Sequence, residues 1–162
     1  MRELAGGVLI GNLLGCLALG GFAPGAAEAA ETQGERQVVA ETIRGVFRAA
    51  ELKQLDRLES YHLFGPEFTK FDEFGEGRED AATARAAERR GLAGVKGFKA
   101  SVQELKVDIF GGAAVATFIV VYSAETATGT ADGRLRSTVV LARRDASWKI
   151  VHEHYSPLLR SQ

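Results

Sequence analysis

The sequence predicts an α+β domain in which a curved antiparallel sheet wraps around a long N-terminal helix. Three observations carry this reading. Apolar residues recur at three- and four-residue steps between Val38 and Ala50, the period of a helix with one buried face. From Ala100 to Tyr155 the chain consists of alternating or β-branched runs joined by short turns. Helical segments come first and strands last, and such segregation marks the α+β class. Wrapping the sheet around the helix buries the stripe from Val38 to Ala50 and leaves a pocket between the two.

The elements follow in order. Val38, Val39, Thr42, Ile43, Val46, Phe47 and Ala50 form the stripe of the first helix, with Arg36, Glu41, Arg44, Arg48 and Glu51 mostly opposite. A break near Lys53 is expected. Leu52, Leu55, Leu58 and Tyr61 then suggest a short second helix with Asp56 in its first turn. Gly65-Pro66 ends it. Phe68 to Phe74 reads as a strand rich in aromatic residues, with a turn at Gly75 and Gly77. The alanine-rich segment from Arg78 to Arg90 favours helix and is closed by Gly91, Gly94 and Gly97. Ala100 to Phe110 and Ala113 to Ser123 are strands about the Gly111-Gly112 turn. Thr126 to Gly133 reads as a loop, Leu135 to Arg143 as a strand, and Trp148 to Tyr155 as the last one, after a turn at Asp145-Ala146-Ser147.

The residues before this domain have a different character. Leu4 to Leu19 is an almost uncharged apolar run, too short for a comfortable membrane span. Ala27-Glu28-Ala29 fits the small-x-small rule of signal peptidase. Residues 1–29 are therefore expected to be a cleaved signal peptide, residues 30–36 a flexible leader and residues 37–158 the working domain. Leu13-Leu14-Gly15-Cys16 offers a second reading, a lipoprotein anchored at Cys16; the apolar run continuing past Cys16 favours ordinary export, periplasmic or secreted. Removing 29 of the 162 residues leaves 133, with the 20 basic and 21 acidic residues reduced to nineteen of each and the single cysteine gone. A neutral chain carries no footprint for nucleic acid and no polybasic anchor for a membrane. A chain without cysteine is indifferent to an oxidising compartment.

The paired helices, the strand from Phe68 to Phe74 followed by Gly77-Arg78-Glu79-Asp80-Ala81, and the ending Trp148-Lys149-Ile150-Val151-His152-Glu153-His154-Tyr155-Ser156 carry a resemblance. Together they resemble the SnoaL-like branch of the nuclear transport factor 2-like superfamily, over about Gln37 to Leu158. The resemblance implies a cone-shaped α+β barrel with a pocket, often dimeric through the outer sheet face. It covers cyclases, isomerases, dehydratases and pocketed proteins without assigned chemistry, and fold does not choose among them.

Candidate residues were weighed by residue type and face. Strand alternation puts Ile150, His152 and His154 on one face and Val151, Glu153 and Tyr155 on the other. Two histidines facing a cavity could serve as acid and base, or with Asp72 or Glu73 bind a metal; pocket-lining or structural roles are the favoured reading. Asp72, among Phe68, Phe71 and Phe74, is a candidate acid or base, against the reading of an exposed strand-end carboxylate. Tyr61 and Tyr122 could donate to a carbonyl oxygen. Trp148 is read as core, pocket wall or dimer surface, and Lys70 and Arg78 as exposed. Gly-rich phosphate loops and nucleophile elbows are absent. The expectation is an exported pocket protein for a small apolar or carbonyl-bearing molecule, with no cofactor or metal. Asp72 and His154 stand as the catalytic pair of an alternative isomerase, cyclase or dehydratase reading. Tyr61, Phe71, Tyr122, His152 and Trp148 are expected to line the pocket. A homodimer through the sheet face is the third possibility.

Overall fold

The computed structural model describes residues 26–73 and 75–158. The apolar run up to Leu19, Cys16 and Phe74 lie outside the described residues.

Helix α1 (Ala26–Glu51) buries Val39, Ile43, Val46 and Ala50 of the expected stripe together with Ala49, while Val38, placed in that stripe, is 49% exposed. Each large apolar side chain taken from water contributes about 1.5–3 kcal/mol. The helix starts well before Val38. The segment read as a loose leader is helical, because Ala, Glu, Gln and Arg are good helix formers and Glu35 is tied to Arg143. The break falls at Lys53, whose φ of 54° reverses the chain while the amides of Lys53 and Gln54 bond back to Ala50 and Ala49. α2 (Leu55–Ser60) follows and buries Leu58.

The strand expected from Phe68 to Phe74 is the three-residue β1 (Thr69–Phe71), and β2 (Arg78–Glu79) pairs with it. α3 (Ala81–Gly94) is capped by Asp80, whose side chain accepts from the Thr83 amide at 2.8 Å. It runs through Gly91 to Gly94. Arg85 and Arg89 of α3 clasp Glu59 of α2.

β3 (Gly97–Phe110), β4 (Ala113–Thr126), β5 (Gly129–Arg144) and β6 (Ser147–Pro157) form the long meander. The segment read as a loop from Thr126 is a tight hairpin, with Gly129 at φ 138° and Thr126 Oγ1 donating to its carbonyl at 2.7 Å. Residues 129–133 continue as strand because the end of β4 offers them a ladder, which overrides their weak β propensity. The sheet order is β2-β1-β6-β5-β4-β3, antiparallel except for the β1–β6 pair. It curves around α1 and stays open. A bulge in β3 between Gln103 and Lys106, with Glu104 at φ 54°, supplies part of the bend.

A second bulge matters more for function. His152 pairs with Val140 and Ile150 with Leu141, so Val151 is an extra residue. Before it, Trp148 and Ile150 face the core; after it, Glu153 and Tyr155 do. The inward set changes from even to odd residues. Strict alternation had placed Ile150, His152 and His154 together, and the bulge breaks that face in two.

Candidate functional site

The post-bulge end of β6 sends Glu153 inward, and Phe68 and Lys70 alternate inward from β1 beside it. The segment at Tyr61–Leu63 pairs with Ile150: the Leu63 amide donates to its carbonyl, and its own amide donates to Tyr61. This brings His62 under Glu153. α3 closes the cluster with Glu88.

His62 Nε2 stands 3.4 Å from Glu153 Oε1. Lys70 Nζ lies 3.0 Å from Glu88, 3.5 Å from Glu153 and 3.7 Å from Asp72. Tyr155 donates to Glu153 Oε1 at 3.0 Å. His62, Lys70 and Glu153 are all buried. His62 stacks on Phe64, with centroids 4.9 Å apart, and meets the edge of Phe68 at 6.0 Å.

The protonation states follow from the partners. His62 Nδ1 lies 3.0 Å from the Leu58 carbonyl, which can only accept, so Nδ1 carries a proton. Burial lowers the His62 pKa, and the Glu153 carboxylate more than offsets it, so the ring titrates above the ordinary histidine value. Nε2 faces the Glu153 carboxylate, which favours the charged form of the ring. Burial alone would raise Glu153, but Lys70 and His62 hold it well below the usual carboxylate range. Desolvation disfavours the Lys70 charge, and Glu153, Glu88 and Asp72 reverse that, keeping it an ammonium. Burial keeps Glu88 above its ordinary value despite Lys70.

Above this floor opens a cavity of about 590 Å³. Its walls include Phe47, Leu58, Leu92, Phe98 and Val120, and its charged end adds Asp72, Glu73 and Glu79 to Lys70, Glu88 and Glu153. Tyr122 reaches it from β4, stacked with Phe98 at 6.3 Å. Gly133 lies opposite Tyr122 in the β4–β5 ladder, and the ring lies over it: a Cβ there would come within 2.5 Å of the ring. Only glycine leaves room for this placement. Burial, then Glu73 and Asp72, raise the Tyr122 pKa, so its hydroxyl stays a donor.

Burial, reinforced by Asp72 beside it, pushes Glu73 from the ordinary 4.5 up to about 7. A carboxyl with a raised folded-state pKa contributes stability that is fully present below 4.5 and lost as pH rises through about 7. Glu73→Gln is expected to remove this component, flattening the decline in unfolding free energy across that window. Urea denaturation at several pH values checks this; an unchanged slope would show that Glu73 titrates normally.

The sequence-predicted residues divide sharply. Asp72 and Tyr122 line the cavity. His154 does not: it is exposed, paired with Phe71 across the β1–β6 ladder and 5.8 Å from its ring on the opposite face of the sheet. His152 lies on that same face, its Nδ1 2.8 Å from Thr69 Oγ1. Phe71 is 41% exposed there. Trp148 is buried in the core, and Tyr61 packs over Gly45 of α1, outside the cavity lining. Lys70, read as exposed, is buried. His62, Glu88 and Glu153 went unassigned. The signal for Lys70 was its two-residue spacing from Phe68; nothing in the sequence announced the bulge that turns Glu153 inward.

His62, Glu88 and Glu153 offer ligand atoms within 4.8 Å of one another, a spacing that suits a metal ion. The Lys70 ammonium already sits against both carboxylates and plays the part of the cation.

No curated protein matches the sequence. A candidate dehydratase of the nuclear transport factor 2-like family from Streptomyces avermitilis superposes with a TM-score of 0.72 at 15% identity, covering 79% of this chain and 99% of that one. A nuclear transport factor 2-like superfamily protein from Salmonella enterica serovar Typhimurium gives 0.72 at 19% identity, covering 81% and 96%. A candidate scytalone dehydratase from Novosphingobium aromaticivorans gives 0.70 at 10% identity, covering 81% and 89%. At such identities the likeness concerns the fold. The SnoaL-like domain model matches residues 39–160, most of the chain. With its curved sheet, its enclosing helices and its internal cavity, this chain belongs to the SnoaL-like family.

Proposed function

We propose that the cavity binds a small, largely apolar molecule carrying a carbonyl group, without a cofactor. The observation that carries this reading is the cavity itself: about 590 Å³, aromatic and aliphatic along its walls, with the Tyr122 hydroxyl and the charged cluster converging at one end. Few convergent polar groups in an apolar cavity are the usual make-up of a ligand site. Lys70 is engaged by three carboxylates, so Tyr122 is the donor for a carbonyl oxygen.

Titration with acetylnaphthalene, an apolar ketone, followed by calorimetry and by shifts of Tyr122 resonances, tests the reading. Saturable binding is expected, and Gly133→Ala is expected to weaken it several-fold by pushing the Tyr122 ring from its seat. Absence of saturable binding at Tyr122 would sink the proposal.

One observation favours a second reading as an acid–base enzyme. Glu73, held near neutrality, lines the same cavity as Asp72 and Tyr122. In this version Asp72 keeps its proposed role, and Glu73 takes the place first given to His154. Structures of similar fold bear dehydratase names, and fold alone does not transfer that activity.

Export and dimerisation are proposed on separate grounds. No helix among the described residues is long and apolar enough to cross a membrane. Among described side chains the first buried one is Val39, ten residues beyond the proposed cleavage after Ala29. N-terminal sequencing of the protein from its host tests the cleavage. The outer sheet face around Phe71, His152 and His154 is the surface offered to a second copy, and sedimentation velocity tests that.

A further inference from the structure

Resting on the pocket reading above, we infer that the molecule bound in the cavity also carries a basic nitrogen: the site is built for an organic ammonium ion and against a carboxylate or phosphate.

The balance of charge is the first argument. The cavity lining holds one ammonium, Lys70, and five carboxylates, Asp72, Glu73, Glu79, Glu88 and Glu153. The imidazolium of His62 stands behind Glu153 and adds one positive charge. Even with Glu73 protonated, the acids outnumber the bases. A ligand carboxylate would enter a field of its own sign, and like-charge contacts act as rejection.

The second argument concerns donors. An ammonium has three N–H groups. Those of Lys70 face Glu88, Glu153 and Asp72, at 3.0, 3.5 and 3.7 Å. Only Glu88 is at good hydrogen-bond distance, and the other two carboxylates hold the ammonium electrostatically, so an anionic ligand would have to displace a carboxylate to reach it. His62 spends Nδ1 on Leu58 and turns Nε2 to Glu153. The cavity is therefore charged, yet its two cations are already engaged.

The third argument is the reverse one, from acceptors. Glu79 Oε2 and Glu88 Oε2 are buried atoms that accept no hydrogen bond, and Glu153 Oε2 has the Lys70 ammonium at 3.5 Å without a hydrogen bond. Glu153 as a whole is 1% exposed and lines the cavity. Buried carboxylate oxygens without donors are costly, and native structures supply them with donors. A ligand N–H group meets that need; a hydroxyl brings one donor and no charge. The Tyr122 and Phe98 rings beside the acids add π faces that attract a cation further. The apolar walls distinguish an organic ammonium from a bare metal ion, which gains nothing from Phe47, Leu92 or Phe98.

The test compares three probes with one apolar body: naphthylmethylamine, naphthylmethanol and naphthoate, titrated into the full-length protein by calorimetry. The amine is expected to bind roughly tenfold tighter than the alcohol, and the carboxylate weaker than both. The double variant Glu73→Gln, Glu79→Gln leaves the ion pairs of Lys70 in place. It is expected to reduce the amine's advantage over the alcohol several-fold. Equal affinity of amine and alcohol, or tighter binding of naphthoate, overturns this inference while leaving the pocket reading intact. Failure of all three to bind overturns the pocket reading. A zinc chloride titration forms the fourth arm: displacement of the amine by zinc, with a shift of the His62 resonances, would assign the acids to a metal and overturn the ammonium assignment. The wild-type comparison stands alone should the double variant not fold.

Discussion

Replacing Lys70 by methionine is expected to cost about 3–5 kcal/mol of folding stability, the range for removing one partner from a buried ion pair. Methionine refills most of the volume of the lysine stem, so the loss reports charge rather than a cavity. In its absence Glu153, Glu88 and Asp72 lose the ammonium they share, and Glu153 is 1% exposed. The buried carboxylates must then take up protons or admit water. Urea denaturation near neutral pH measures the loss. A second substitution, Glu153→Gln in the Lys70→Met background, is expected to recover part of it, since it removes the uncompensated charge. The gap between wild type and Lys70→Met also has a pH sign. Glu153 is depressed below its ordinary 4.5 in the folded state, so its contribution is present above that value and lost as pH falls through the folded-state value. The two proteins should therefore converge in acid. A loss below about 1 kcal/mol near neutrality would mean that the cluster is hydrated and does not hold the cavity floor.

The fold was more legible than the site, for reasons that lie in particular residues. The stripe from Val39 to Ala50, the break at Lys53 and the long meander are periodic signals, and each appears where the period places it. Such signals are averages over many residues and survive local irregularity. The site depends on single faces, which do not. Up to Ile150, alternation in β6 reads correctly. One extra residue, Val151, then moves Glu153 and Tyr155 indoors and puts His152 and His154 outside. Histidine is the chemically suggestive residue type in this strand, and both of its histidines lie on the outer face beside Phe71. His62 was invisible for another reason: its partner lies ninety-one positions away, and only the bridge to Ile150 brings the two together. Asp72 and Tyr122 line the cavity, although alternation about Phe68, Phe71 and Phe74 leaves the face of Asp72 ambiguous in the sequence.

Phe68→Ala is expected to cost about 3–5 kcal/mol, as for other buried aromatic truncations, whereas Phe71→Ala, three residues along the same segment, should cost about 1 kcal/mol or less. The contrast isolates the face on which the site is built. Phe68 is 1% exposed and its ring edges onto both Phe64, at 4.9 Å, and His62, at 6.0 Å. It forms one wall of the slot that holds the imidazole against Glu153. Phe71 is 41% exposed, and its ring meets the outward histidines His152 and His154. Removing Phe68 also opens a void beside His62 into which water can move. Hydration weakens both the burial of the ring and its attraction to Glu153. The His62 pKa, raised in the intact protein, should then fall toward the ordinary histidine value. The signals of His152 and His154 should not move, because the sheet backbone separates them from the void. Histidine ring titrations by NMR on both variants read this directly. An unmoved His62 titration in folded Phe68→Ala would show that Glu153 alone, without the aromatic slot, sets the charge state at the cavity floor. Should the variant prove too unstable to titrate, Phe68→Leu keeps most of the apolar volume and opens a smaller gap, with a shift of the same sign.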